Sequence, residues 1–495
     1  MMSEDRPGPA GRRGCHHLDD PANGPTRLLV KSLSLLAGLL VGTQSAAAAV
    51  ATAAGERPPN IVFILADDLG YGEPGFQNRR TLHRTPNLDR LAAEGMRFTE
   101  HYAGSSVCAP SRCALMTGRH SGRGRIRDNL AVGPEGEEVR PFLLPEDTTV
   151  AALLQGAGYR TGCIGKWGLG DEGTPGVPWQ QGFDQFFGYL HNTHGTRYYT
   201  EFIYRNAEKQ ALRGNYGRWR KQYGPDLLLA EALDFLQANR ERPFFLYYPF
   251  NLVHGDYVDP PPDPDDAERV LPPGLELTPK ERTYLAMVRR LDRDVGRLVA
   301  RIDELGLAGR TLVIFASDNG NRGLGEANEA LFDAAAGLRG GKADLYEGGI
   351  RVPMVARWPG VIEAGSTSGH VSAFWDFLPT ACELAGLPVP ADVDGRSYLP
   401  TLLGRSQESP DLLYWELAKR DEPWIVPRQA VRVGAWKLVR NGDDPPELYH
   451  LGEDPGESRD LARRQPETVA RLSSLLETAR TNAPEFPLQA GPGFD

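Results

Sequence analysis

The chain has 495 residues, 40% hydrophobic and 24% charged, a make-up that fits a folded protein of two or three domains and excludes a disordered or fibrous one. A formal net charge of −10 with no dense basic stripe speaks against nucleic acid as a partner, although an anionic substrate stays open because a cleft's local charge decides that. Five cysteines do not make a disulfide scaffold.

Arg27 and Lys31 precede an apolar run at 33–41, and an alanine-rich stretch at 46–54 offers small-residue cleavage sites. Residues 1–54 therefore read as a signal peptide and leader of an exported, periplasmic or secreted protein, with Cys15 leaving alongside it. The run is interrupted by Ser32, Ser34 and Gly42 and is short for a membrane span, so no stable anchor is expected. Arg12-Arg13 lies too far upstream for a twin-arginine signal, and no cysteine closes the run for a lipid anchor.

A continuous apolar strand is predicted over 60–66, bounded by Pro58-Pro59 and ended by Asp67-Asp68. Thr85-Pro86 opens a helix with Leu88, Leu91 and Ala92 on one face, and Gly95 ends it. A helix at 150–155 precedes a strand at 161–164, and a helix at 227–239 precedes a strand at 244–249. The helix predicted over 281–305 carries Leu285, Val288, Leu291, Val295, Leu298 and Ile302 at helical spacing, and a buried strand follows at 311–316. Such alternation predicts an α/β domain with a mostly parallel sheet covered by helices on both faces.

Two stretches break the rhythm and are expected as long loops over the site: 171–223, rich in aromatics, and 255–279, rich in proline and acid. Trp179, Phe183, Phe186, Phe187, Tyr189, Tyr198 and Tyr199 are expected to pack as a lid, with sugar stacking a second use for one or two of them. Short antiparallel strands at 412–417, 430–440 and 447–451 and a helix at 466–480 predict a smaller C-terminal α+β domain. The expected division is 58–403 for the larger domain and 404–490 for the smaller.

Acidic residues cluster where predicted strands end. Asp67-Asp68 and Asp318-Asn319 together offer an oxygen shell suited to a divalent cation such as calcium or magnesium, and strand carboxyl ends are where α/β sheets bind ligands. Taken singly each pair is also an ordinary turn signal.

The stretch Ser105-Ser106-Val107-Cys108-Ala109-Pro110-Ser111-Arg112, continued to Thr117-Gly118-Arg119, carries the most specific pattern in the chain. Pro110 suits the first turn of a helix, which puts residue 108 at a helix N-terminus where an anion is welcome, with Arg112 one turn on. This stretch resembles the signature of the formylglycine-dependent, arylsulfatase-like sulfatases of the alkaline phosphatase superfamily. Gly165-Lys166-Trp167, His254, Ser317-Asp318-Asn319-Gly320, Arg339-Gly340-Gly341-Lys342, the run 346–353, Glu447-Leu448-Tyr449 and Asp454-Pro455 follow in the family's order.

The resemblance implies an alkaline-phosphatase-like fold for the larger domain and oxidation of Cys108 to formylglycine by a formylglycine-generating enzyme. Three mature cysteines, Cys113, Cys163 and Cys382, would then remain, enough for one bridge at most. It implies a metal, Ca2+ before Mg2+, held by Asp67, Asp68, Asp318, Asn319 and residue 108. It further implies that the hydrated aldehyde attacks sulfur, with Asp318 holding or accepting the hydroxyl proton and Arg112 fixing residue 108. Lys166 and Lys342 would neutralise the sulfate oxygens, and His254 or Lys342 would protonate the departing alcohol.

The chain departs from the family where Lys-X-His becomes Lys166-Trp167-Gly168, which removes an imidazole credited with promoting sulfate release. His191 and His194 are candidates for that role or for substrate contact, and each also reads as an ordinary loop histidine. A sulfated carbohydrate is the expected substrate. A phosphoester or phosphonate hydrolase with the same metal cradle is the nearest alternative, and a non-catalytic sulfated-glycan binder is the other.

Overall fold

A computed structural model describes residues 57–488 except 136, 218, 263–273, 324–330 and 422–423, together with 491–492. The leader expected at 1–54 lies outside the described residues, as does the middle of the loop expected at 255–279.

Ten strands form the main sheet: β1 Asn60–Ala66, β2 Met96–Phe98, β3 Arg160–Lys166, β4 Gln185–Tyr189, β5 Phe202–Arg205, β6 Glu208–Ala211, β7 Phe244–Pro249, β8 Thr311–Ser317, β9 Met354–Arg357 and β10 Ser366–Ser368. Their order is β10-β2-β9-β8-β1-β7-β3-β4-β5-β6. The central strands β8, β1, β7, β3 and β4 are parallel. Antiparallel pairing enters at β9 on one side and at β5 and β6 on the other. Every residue of β1, β7 and β8 is buried, as strands covered on both faces require.

Side chains alternate between the two faces of β1, and each set has its own core. Ile61, Phe63 and Leu65 pack against helices α2 Cys108–Thr117, α3 Val150–Gly156 and α6 Phe377–Leu384. Val62, Ile64 and Ala66 pack against α1 Pro86–Ala93, α4 Gly224–Asn239 and α5 Pro279–Glu304. The start of α5 is fixed by Thr278, whose hydroxyl accepts from the Glu281 N–H while the Glu281 carboxylate accepts from the Thr278 N–H.

The stretch 171–223 is not the plain loop its sequence predicts, because it contains β4, β5 and β6. The clustered aromatics of β4 (Gln-Phe-Phe-Gly-Tyr) hide the strand signal, since burial on both faces erases the alternation that would reveal it. Of the aromatics expected as a lid, Phe183, Phe186, Phe187, Tyr189 and Tyr198 are buried, and packing accounts for them.

A second, antiparallel sheet runs in the order β11 Leu413–Asp421, β12 Trp424–Val433, β13 Trp436–Asn441, β14 Glu447–His450. The single strand predicted at 430–440 is two, because Gly434 turns the chain at φ 58°. Helix α7 Pro466–Thr478 covers one face through Leu472 and Leu476. The other face, with Trp415, Ala430 and Val439, packs on Tyr102, Leu345 and Trp375. Cys108, Cys113, Cys163 and Cys382 are all free and buried. Among the described residues no helix is long and apolar enough to cross a membrane.

Candidate active site

β1 and β8 lie side by side and parallel, with Ala66 opposite Ser317, so the residues that follow them meet at one end of the sheet. Asp67-Asp68 leave β1 there and Asp318-Asn319 leave β8. Asp68 adopts φ 65°, a left-handed turn that Asp tolerates better than most residues, and its N–H donates to Asp318 Oδ1 at 3.1 Å. Lys166 arrives from the end of β3, which runs two residues beyond the strand expected at 161–164.

Helix α2 begins at residue 108 after an extended Val107, so Cys108 sits at the helix N-terminus. The next backbone N–H, of Ala109, donates to Asn129 Oδ1 at 2.9 Å. Cys108 Sγ lies 3.4 Å from Asp67 Oδ1, 4.0 Å from Asp68 Oδ1 and 3.5 Å from Lys342 Nζ. Lys342 is delivered by a loop whose backbone is pinned at both residues, Lys342 N–H to Asn321 O at 2.8 Å and Ala343 N–H to Ser106 O at 2.9 Å.

Charges in the cluster are paired with little room. Lys166 Nζ bonds Asp67 Oδ2 at 2.7 Å, and Lys342 Nζ bonds both oxygens of Asp68 at 2.7 Å. Arg112 lies within the same cluster as residue 108, with Nη2 3.5 Å from Asp67 Oδ1. Its Nε and Nη2 hold Asp318 Oδ2 at 3.0 and 2.7 Å, and Nη1 donates to Lys166 O at 2.5 Å. One helical turn on from residue 108, the guanidinium lies against the end of β8, where its fork suits a carboxylate.

These contacts set the protonation states. Burial opposes ionisation of Asp67, but Lys166, His254, Arg112 and Lys342 outweigh it and hold the carboxyl well below the usual range. Asp68 is held low in the same way, chiefly by Lys342 against its burial. Asp318 is instead raised to about 6 by burial and by Asp67, so it is the carboxylate of the three that takes a proton first. Burial pushes the Cys108 thiol up to about 12 and His254 down to about 4. Neutral His254 therefore accepts from Lys342 Nζ through Nε2 at 2.9 Å, which places its own proton on Nδ1.

Asp67, Asp68, Cys108 and His254 each offer a ligand atom within 4.8 Å of the others. Asn319 donates Nδ2 to Asp68 Oδ1 at 2.7 Å, and its buried Oδ1 has no hydrogen-bond partner. An orphaned amide oxygen beside three carboxylates is the donor set a hard divalent cation takes, so the residues present fit such an ion.

His191 and His194 are not brought into the cluster. His191 Nδ1 accepts from the Thr193 and His194 N–H groups, and its ring lines a 100 Å³ cavity with Asn129, Arg140, Gly168 and Asn192. His194 packs between Tyr189 and Phe202, and burial lowers it to about 4.

Gly168, where the family's imidazole is missing, has φ 81°, and a Cβ there would lie 2.5 Å from Asn192 Oδ1. Asn192 Oδ1 is itself buried and without a partner. Sequence reasoning passed over Asn192 and Asn129, since nothing in their local pattern separates them from loop asparagines.

The family model described as Sulfatase matches residues 59–387, and one described as N-sulphoglucosamine sulphohydrolase, C-terminal, matches residues 341–482. Human arylsulfatase A is 35% identical over 85% of this chain and 87% of its own. N-acetylgalactosamine-6-sulfatase of Mus musculus is 31% identical over 86% of both. Among solved structures, Ps i-CgsB in complex with k-i-k-neocarrahexaose superposes with a TM-score of 0.70 at 27% identity, over 86% of this chain and 93% of that one. With acids from two strand ends meeting a cysteine at a helix N-terminus, and with this breadth of match, the chain belongs to the sulfatase family and is a sulfuric ester hydrolase.

Proposed function

We propose that the protein hydrolyses the sulfate ester of a sulfated carbohydrate, using a formylglycine made from Cys108 by a formylglycine-generating enzyme and a divalent cation, Ca2+ before Mg2+. The observation that carries this reading is the position of Cys108, at the start of α2 and within 3.4–4.0 Å of Asp67, Lys342 and Asp68. Ps i-CgsB, solved with a neocarrahexaose, supports the carbohydrate class.

Asp67, Asp68, Asp318 and Asn319 would hold the cation, which when bound supplies positive charge and acidifies a hydroxyl. A formylglycine supplies, when hydrated, one hydroxyl to attack sulfur and a second whose proton can leave as the sulfate bond breaks. Asp318 would receive the first hydroxyl's proton, with Arg112 fixing its orientation. Lys166 and Lys342 draw on the sulfate oxygens as charge grows. Lys342, hydrogen-bonded to His254, carries the proton for the departing alcohol, with His254 ready to share it. The N-terminal apolar run supports export to the periplasm or beyond.

Mass spectrometry of the residue-108 peptide from the native host tests the modification, an unmodified thiol counting against it. Cys108→Ala should abolish turnover of an aryl sulfate while leaving the fold intact. A preference for the matched aryl phosphate would transfer the reading to phosphoester hydrolysis.

A further inference from the structure

Beside the His254 segment lies a groove of 660 Å³ lined by Arg197, Tyr198, Tyr199, Trp219, Arg220 and Asp256, among others. Its inner wall is tied to the active site: the Tyr198 hydroxyl donates to His254 O at 2.7 Å and to Asn251 O at 2.9 Å. Asp256 follows His254 by two residues, so the groove begins where the catalytic cluster ends.

Trp219 is 65% exposed, the most exposed of the large hydrophobic side chains among the described residues. Arginines such as Arg112, Arg127, Arg205 and Arg357 are paired with carboxylates. Among the described residues Arg197 and Arg220 have no such partner. Arg220 stands over the Tyr199 ring at 5.8 Å and Lys221 over the Trp219 ring at 5.0 Å. Asp256 is the single carboxylate lining the groove.

An exposed indole and a partly exposed phenol, flanked by cations without a carboxylate partner among the described residues, match a ligand that alternates apolar ring faces with fixed negative charges. A sulfated oligosaccharide is such a ligand: pyranose faces stack on indole and phenol rings, while sulfate groups take charge-assisted hydrogen bonds from guanidinium. We propose that this groove binds the sugar residues of a sulfated oligosaccharide that extend beyond the one being desulfated, which makes the enzyme selective for a polymer or its fragments over a monosaccharide. The inference rests on the sulfatase reading and deepens it.

The test uses the full-length, formylglycine-bearing protein with three probes: 4-nitrophenyl sulfate, sulfated monosaccharides, and sulfated hexasaccharides prepared from carrageenan and from glycosaminoglycans. The best hexasaccharide should exceed its monosaccharide in kcat/KM by about tenfold. Trp219→Ala and Arg220→Ala should each lower the ratio of hexasaccharide to 4-nitrophenyl sulfate kcat/KM by about fivefold to tenfold, through KM. A ratio that does not move in either variant overturns the groove while the sulfatase reading stands. Should no sulfate ester be turned over at all, the sulfatase reading fails by itself. Hexasaccharide binding to the unreacted chain, measured calorimetrically and weakened in Trp219→Ala, would still support the groove. Absence of that binding, or equal competition by a polyglutamate peptide, would overturn it.

Discussion

Replacing Arg112 with lysine keeps a positive charge and removes only the fork. Arg112 and Asp318 are both fully buried, and the guanidinium makes two hydrogen bonds to Asp318 Oδ2 and one to Lys166 O. A lysine ammonium is compact and can restore one of the three. Each charge-assisted bond lost inside a protein costs about 1.5–3 kcal/mol, so the loss of two in Arg112→Lys should destabilise by about 3–6 kcal/mol. The assay is equilibrium urea unfolding followed by tryptophan fluorescence, in chelator so that no bound cation contributes. A double-mutant cycle with Asp318→Asn should return a coupling above about 1 kcal/mol. A variant within about 1 kcal/mol of the parent would refute the clamp, because two buried charged hydrogen bonds cannot be lost at that cost.

Lys437→Met removes the cation between Glu347 and Glu457, whose carboxylates it meets at 2.9 and 2.8 Å with all three side chains buried; the expected loss is about 3–5 kcal/mol. Burial has already raised Glu457 to about 7, so the loss should shrink when thermal unfolding is repeated at pH 5, where the stranded carboxylates can take up protons. Gly168→Ala should cost about 2 kcal/mol, from its left-handed backbone and the contact with Asn192 Oδ1, and about half that in an Asn192→Ala background; equal costs in both backgrounds would remove the contact from the account. Burial lowers His101 to about 3 and His120 to about 4, so both are neutral in the folded chain and their contribution is whole above about pH 6.5. As pH falls from there toward 3–4 each should cost about 1.4 kcal/mol per unit, and His101→Gln should lower the slope of unfolding free energy against pH between 6 and 4.5.

Much of the site can be read from the sequence because its parts end recognisable elements. β1 and β8 are unbroken apolar runs, and such runs become neighbouring buried strands; the acids that stop them must then lie together at one edge. Pro110 announces the first turn of α2 and so the place of Cys108. Less could be read wherever a residue's role depends on a partner far along the chain. The fork of Arg112 points at Asp318 and not at its own helix turn, and Asn129, which satisfies the Ala109 N–H, lies in a loop with no periodicity to mark it. β4 escaped because two-sided burial leaves no alternation, and Gly168 showed only an absence until Asn192 was seen to occupy the space beside it.

The electrostatics of the cluster bear on the proposed cation. Asp67, Asp68 and Asp318 formally carry three negative charges, and Arg112, Lys166 and Lys342 carry three positive ones, each lysine bonded to an acid of the Asp67-Asp68 pair. A neutral, mutually satisfied cluster has little attraction to spare for a sulfate ester. Asp67 and Asp68 would hold a divalent ion, and its charge would offset theirs, leaving the ammonium groups of Lys166 and Lys342 free to attract an incoming anion. The same carboxylates that bond the lysines would then hold the site's net positive charge in place. The buried Oδ1 of Asn319, which no hydrogen bond satisfies, is a ligand position that the lysines leave open.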